Sequence, residues 1–223
     1  MAVATGFWVA ALTATALGAI MLARQLKRPT PSRAWWIGAM GGYGIAFATE
    51  ALTVNHGWSS AWVYRLYLEA SAGLVGAMAV GTGYLLWAHA LARRHAQVMA
   101  GLMAALAGAL ATHPVALHYA WASLDAGRQG LAGMPRLLYA LITAWGGMVV
   151  VAGALWSAWR QRRWALLPIA AGALTSAAAG VLATSQPGES WFAWANLLGL
   201  VLIALGYEWA SFQSRAAAPS LNG

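Results

Sequence analysis

Apolar residues run in seven successive stretches, each close to the ~20 residues that a membrane-spanning helix needs, with short polar connections between most of them. The stretches cover about residues 6–23, 34–54, 61–91, 96–117, 136–159, 164–185 and 191–212. Hydrophobic residues make up 61% of the 223 residues and charged residues only 8%. A soluble domain carries about a quarter charged residues to solvate its surface. The pattern therefore predicts an all-α integral membrane bundle of seven helices. A single transmembrane domain fills residues 1–223, with no room for a separate soluble one.

The charges predict an orientation. Arg24, Lys27, Arg28 and Arg33 follow the first stretch, Arg93 and Arg94 the third, Arg160, Arg162 and Arg163 the fifth, and Arg215 the seventh. Of 13 basic residues, only Arg65, Arg128 and Arg136 fall on the other side. Basic residues concentrate on the cytoplasmic face, so the N-terminus is expected outside, the C-terminus in the cytoplasm, and the chain in the cytoplasmic (inner) membrane. No basic residue precedes the first stretch, which argues against a signal peptide. Of 14 tryptophans, only Trp145 falls at mid-span; the rest mark predicted helix ends, where an indole satisfies both its apolar ring and its N–H.

Several chemistries are disfavoured. The net charge of +8 comes in short clusters, not a continuous basic face, so no nucleic-acid partner is expected. The absence of cysteine excludes disulfides, thiolate metal sites and a cysteine nucleophile. His56, His89, His95, His113 and His118 all sit at predicted ends or loops, a poor pattern for haem. His113 and His118 are five residues apart with Pro114 between them, which makes a metal site with Glu50 weak. A retinal Schiff base needs a lysine deep in the seventh helix, and the sole lysine is Lys27. No cofactor is expected.

Helices associate in lipid through small residues that let backbones approach. Such rows occur at Gly38, Gly42 and Ala46 in helix 2, at Ala72, Gly76, Ala79 and Gly83 in helix 3, at Gly101, Ala105 and Gly108 in helix 4, and at Gly199, Ile203 and Gly206 in helix 7. Glu50, Glu69 and Asn196 continue three of these rows, so they are expected to face the bundle interior. Arg65 and Glu69 stand four residues apart, the spacing of a helical ion pair. With Glu50, His113 and the hydroxyls of Tyr64, Tyr67, Tyr139 and Thr143 they form a polar cluster in the outer third of the membrane. Glu50, Arg65, Glu69, His113, Tyr139 and Asn196 are therefore the candidate ligand-binding or gating residues. The plainer alternative is that Arg65 pairs with Glu69 or Glu50 and locks helix 2 against helix 3. The outer segment from His118 to Pro135, rich in Gly and polar residues, is either a lid or a simple connection.

Two segments, 64–86 (Y-R-L-Y-L-E-A-S-A-G … G-T-G-Y-L-L) and 134–160 (M-P-R-L-L-Y … G-A-L-W-S-A-W-R), resemble a group of uncharacterised seven-helix multi-pass membrane proteins of actinobacteria and related bacteria. In that group an R-x-Y-Y-x-x-G-A element opens the third helix. This chain departs from it at Leu68 and Glu69, where an aromatic residue and a glycine are expected. The resemblance implies a bacterial inner-membrane protein with Arg65, Tyr67, Thr82 and Arg136 inside its pattern, and it implies no activity.

The expected function is a ligand-binding, sensory or accessory membrane protein with an outward-facing polar pocket between helices 2, 3, 4 and 7. The expected partners are membrane lipid, a small polar ligand from outside and, as a further option, a second copy of the chain. The alternative is a small solute, proton or cation transporter or channel gated by Arg65, Glu69 and Glu50. An enzyme acting on a lipid ranks last, because no serine–histidine–aspartate or multi-histidine set appears on the inner faces.

Overall fold

The computed structural model describes residues 2–54, 57–58, 60–115, 131–160, 162–183 and 191–216. His56, His118, Trp121 and Arg128 lie outside these residues, as does most of the 118–135 segment. The described chain forms seven helices and no strand: α1 (Ala2–Lys27), α2 (Pro31–Thr53), α3 (Ala61–Leu86), α4 (His89–Thr112), α5 (Gly133–Arg160), α6 (Leu167–Ala183, entered through a 3-10 turn at Trp164–Leu166) and α7 (Trp191–Ala216). Five of them, α1, α4, α5, α6 with its 3-10 turn, and α7, are long and apolar enough to cross a membrane. That is the make-up of a membrane protein. The two others, α2 and α3, carry Glu50, Arg65 and Glu69. Protein covers part of each: α3 packs against α2, α4 and α5, and α2 against α1 and α3, with Ile45 and Leu52 of α2 left exposed. A helix screened from lipid by its neighbours tolerates polar groups that a lipid-facing helix would not.

Sequence-adjacent helices run antiparallel, and close glycine contacts fix their register. A Cβ on Gly42 of α2 would stand 2.9 Å from the Leu74 Cβ of α3, and one on Gly81 of α3 would meet the Trp36 ring of α2. Gly146 of α5 lies on Val75 of α3, and Gly153 on Leu86, so α3 and α5 run parallel. Gly172, Ser176 and Gly199 interlock α6 with α7, and Gly206 continues that seam against Ile169. Gly6 of α1 packs on Ala193 of α7. The result is a closed ring, α1–α2–α3–α5–α6–α7 and back to α1, with α4 outside it against α3 and α5. The seams expected in helices 2, 3 and 7 are used at Gly42, Gly76, Gly83, Gly199 and Gly206. Among the described residues, Gly38, Gly101 and Gly108 have no neighbour within 4 Å of where a side chain would start.

Local sequence explains the turns. Thr30 caps α2 and accepts from the Arg33 N–H at 3.3 Å, and Pro31 occupies the first turn, where its missing N–H costs nothing. Gln25 exchanges two hydrogen bonds with the Thr30 backbone, and the Arg33 guanidinium donates to the Arg28 carbonyl at 2.6 Å, closing the end of α1. One boundary departs from expectation. The third stretch does not run to residue 91: Trp87 and Ala88 are extended, at φ −107°, ψ 160° and φ −55°, ψ 140°, and α4 begins at His89. Arg93 and Arg94 therefore stand in the early turns of α4, not in a connection. Apolar periodicity continues across the break. At the break the Trp87 ring folds back on Gly83 and meets His95 edge-on at 5.0 Å.

Alternation of the helices puts Arg24, Arg28, Arg33, Arg93, Arg94, Arg160, Arg162 and Arg163 at one end of the bundle, and Arg65 and Arg136 at the other. At the arginine-rich end Arg24 pairs with Glu208 of α7, the one ion pair among the described residues. At the opposite end Phe7 of α1 packs against Phe47 of α2 and Phe192 of α7, with ring centroids 6.3 and 5.9 Å apart.

Candidate functional site

The ring encloses a cavity of about 380 Å³ in the half of the bundle away from the arginine-rich end. That volume falls in the range of small-molecule sites, ~300–1,000 Å³. Five helices line it: α2, α3, α5, α6 and α7. No residue of α4 does, so the pocket expected between helices 2, 3, 4 and 7 has α5 and α6 in the place of α4. Sequence alone gives no sign of this exchange, because a short connection makes α3 and α4 neighbours without saying which of them closes the ring.

The polar lining starts at Glu50. It sits in the last turn of α2, on the face that Gly42 and Ala46 share, and is 2% exposed. The Tyr67 hydroxyl of α3 lies beside its carboxylate. Tyr67 is held from behind by buried Trp58, whose ring lies 5.0 Å from it and 5.2 Å from Tyr64. One turn below, Ser71 and the Tyr139 hydroxyl of α5 share a hydrogen bond of 3.2 Å. Thr143 lines the wall next to Tyr139, with its hydroxyl donating to the Tyr139 carbonyl at 2.8 Å. From α7, the Asn196 amide donates to the Phe192 carbonyl at 3.0 Å. Ser176 of α6 lies beside Tyr43, yet its Oγ is buried without a hydrogen-bond partner. The remaining wall is apolar: Phe47, Leu74, Val75, Met78, Val150 and Phe192. No lining residue is basic.

Of the six residues singled out from sequence, Glu50, Tyr139 and Asn196 line the cavity; Arg65, Glu69 and His113 do not. The reason is helix geometry. Residues two apart on a helix point to nearly opposite sides. Tyr67, Ser71, Leu74 and Met78 form the cavity face of α3, while Arg65, Glu69, Gly73 and Gly76 form its α4 face, where Gly73 and Gly76 meet Met99 and Met103. Arg65 donates to the His113 carbonyl at the end of α4 (3.0 Å), with its guanidinium 6.0 Å from the Trp62 ring centroid. It makes no ion pair with Glu69 or Glu50. Glu69 keeps one buried carboxylate oxygen without a partner at that interface. The cluster expected as one unit is thus two, back to back on α3.

Tyr43 and Ser71 were not singled out from the sequence. A signal for both exists: Tyr43, Phe47 and Glu50 recur at i, i+4, i+7 on α2, and Tyr67, Ser71 and Leu74 at the same spacing on α3. A second polar contact also escaped notice. The Trp145 indole of α5 donates to His95 Nε2 of α4 at 3.1 Å, outside the ring. Among the described residues, no three histidine, aspartate or glutamate side chains come close enough together to hold a metal ion. No family model, curated protein or solved structure matches the chain.

Proposed function

We propose that this chain is a seven-span protein of a bacterial cytoplasmic membrane, with its N-terminus outside, and that it binds a small molecule in the outer half of its helix ring. The observation that carries this reading is the cavity itself. It is walled by five helices, has a cluster of hydroxyls and one carboxylate at one end and apolar residues at the other, and sits in the half away from the arginine-rich ends. Basic residues favour the cytoplasmic face, which puts the cavity on the outside. Ala177, Gly180 and Val181 of α6 both line the cavity and are exposed, which gives a ligand a way in. A sensory or accessory role follows from binding without a catalytic set among the lining residues.

The test uses Gly147, which lines the cavity and has no neighbour within 4 Å of a would-be Cβ. A ligand that binds only the folded state raises the melting temperature. Thermal-shift screening of the purified protein with small amphiphilic amines and alcohols should give stabilising hits that Gly147→Phe, by filling the space, removes. Hits that survive Gly147→Phe unchanged would sink the pocket reading.

One observation favours a second reading, a small transporter or channel. Below the cavity, toward the arginine-rich end, Trp36 Nε1, Thr82 Oγ1 and Ser157 Oγ are buried without hydrogen-bond partners. Unsatisfied polar atoms at membrane depth are costly and mark places where water or an ion is accommodated. Arg65 and Glu69 would take no part in such a path. Proton or cation flux into liposomes that Glu50→Gln abolishes supports this reading, and absence of flux removes it.

A further inference from the structure

We infer that the ligand of this cavity is a small organic cation, an ammonium head on an apolar body, with Glu50 as its counter-charge. This rests on the binding reading above and adds the ligand's chemical class. Glu50 is 2% exposed, the group beside it is a neutral tyrosine hydroxyl, and no lining residue among those described is an arginine, lysine or histidine. Arg65, the nearest basic residue along α3, is turned away onto the His113 carbonyl. An acidic group out of water either holds a proton or needs a compensating charge, and none of the described residues supplies that charge to Glu50.

The surroundings select the kind of cation. A bare metal ion needs six or more oxygen ligands in a compact shell, and this cavity offers one carboxylate, with its hydroxyls spread over α2, α3, α5 and α6 and aromatic rings among them. Tyr43, Phe47, Tyr67, Tyr139 and Phe192 all contribute to the wall. Aromatic faces attract an organic ammonium group, most strongly where water is excluded. The far end, lined by Leu74, Val75, Met78 and Val150, accepts a hydrocarbon or aryl body and cannot solvate a second charge. The volume of about 380 Å³ limits the ligand to a small molecule.

The experiment titrates the full-length protein in detergent with 2-phenylethylamine, the uncharged 2-phenylethanol and the anionic 3-phenylpropanoate, read by calorimetry at neutral pH. The amine should bind at least about tenfold more tightly than the alcohol, the scale of one charge-assisted hydrogen bond, and the acid should not bind. Glu50→Gln should weaken the amine at least about tenfold and leave the alcohol within about twofold. The wild-type comparison of amine and alcohol decides the matter even if Glu50→Gln fails to fold. Equal affinity for amine and alcohol, or binding of the acid, overturns the cation inference and leaves the pocket reading standing. No saturable binding of any of the three overturns both.

Discussion

Trp145 lies far from either end of α5, an awkward depth for an indole, whose N–H needs an acceptor in a medium that offers few. His95 provides one at 3.1 Å, and His95 is itself packed against Trp87. Trp145→Phe keeps most of the ring and removes the donor. It should lower stability by about 0.5–1.5 kcal/mol, seen as a modest fall in melting temperature in detergent; no change would mean that the bond contributes nothing. Trp145 is legible in the sequence as the one tryptophan away from a predicted end, but His95 as its partner is not, because the two sit 50 residues apart on different helices. Glu50 shows the same division. Its burial follows from the small-residue row Gly42–Ala46–Glu50. Its neighbour does not: helical spacing of charges points to Arg65 and Glu69, and the hydroxyl beside Glu50 is that of Tyr67, on the opposite side of α3. The direction in which a side chain leaves its helix, and not its charge, decides what it meets.

At the scale of helices, spacing rules worked where a row of small residues met another helix and misled where the row faced outward. Gly199 fits its row because α6 answers it with Gly172 and Ser176, so the two backbones approach closely. The row on α4, Gly101–Ala105–Gly108, has the same spacing, and among the described residues nothing lies within 4 Å of a would-be Cβ on Gly101 or Gly108. Gly199→Leu should therefore force α6 and α7 apart and cost about 1–3 kcal/mol, a clear drop in melting temperature, while Gly108→Leu should leave it near the wild-type value. Equal losses at both sites would show that α4 packs differently from the arrangement described here. The α3–α4 boundary illustrates the limit of periodicity from the other side. Residues 61–91 read as one apolar run, yet the helix ends at Leu86, where Trp87 folds back onto Gly83 and His95.

The seven helices of the described residues are legible in the whole sequence, whereas the closure of the ring is not. Contacts between α3 and α5, and between α1 and α7, join segments far apart in the chain. Phe7 against Phe192 and Arg24 against Glu208 hold that last junction at its two ends. Because α5 and α6 close the ring in place of α4, Tyr139, Thr143 and Ser176 come to face Glu50 across one space. Sidedness is a property of the whole molecule too, and it can be tested on a chain with no native cysteine. Alternation of the helices puts Ala132 and Arg162 at opposite ends, and the arginine-rich end is the proposed cytoplasmic one. Ala132→Cys should react with a membrane-impermeant maleimide in intact cells, and Arg162→Cys only after permeabilisation. Labelling of Arg162→Cys in intact cells would invert the orientation and open the Glu50 cavity to the cytoplasm, making its ligand an internal one. Labelling of both in intact cells would mean that the helices do not alternate across a membrane at all.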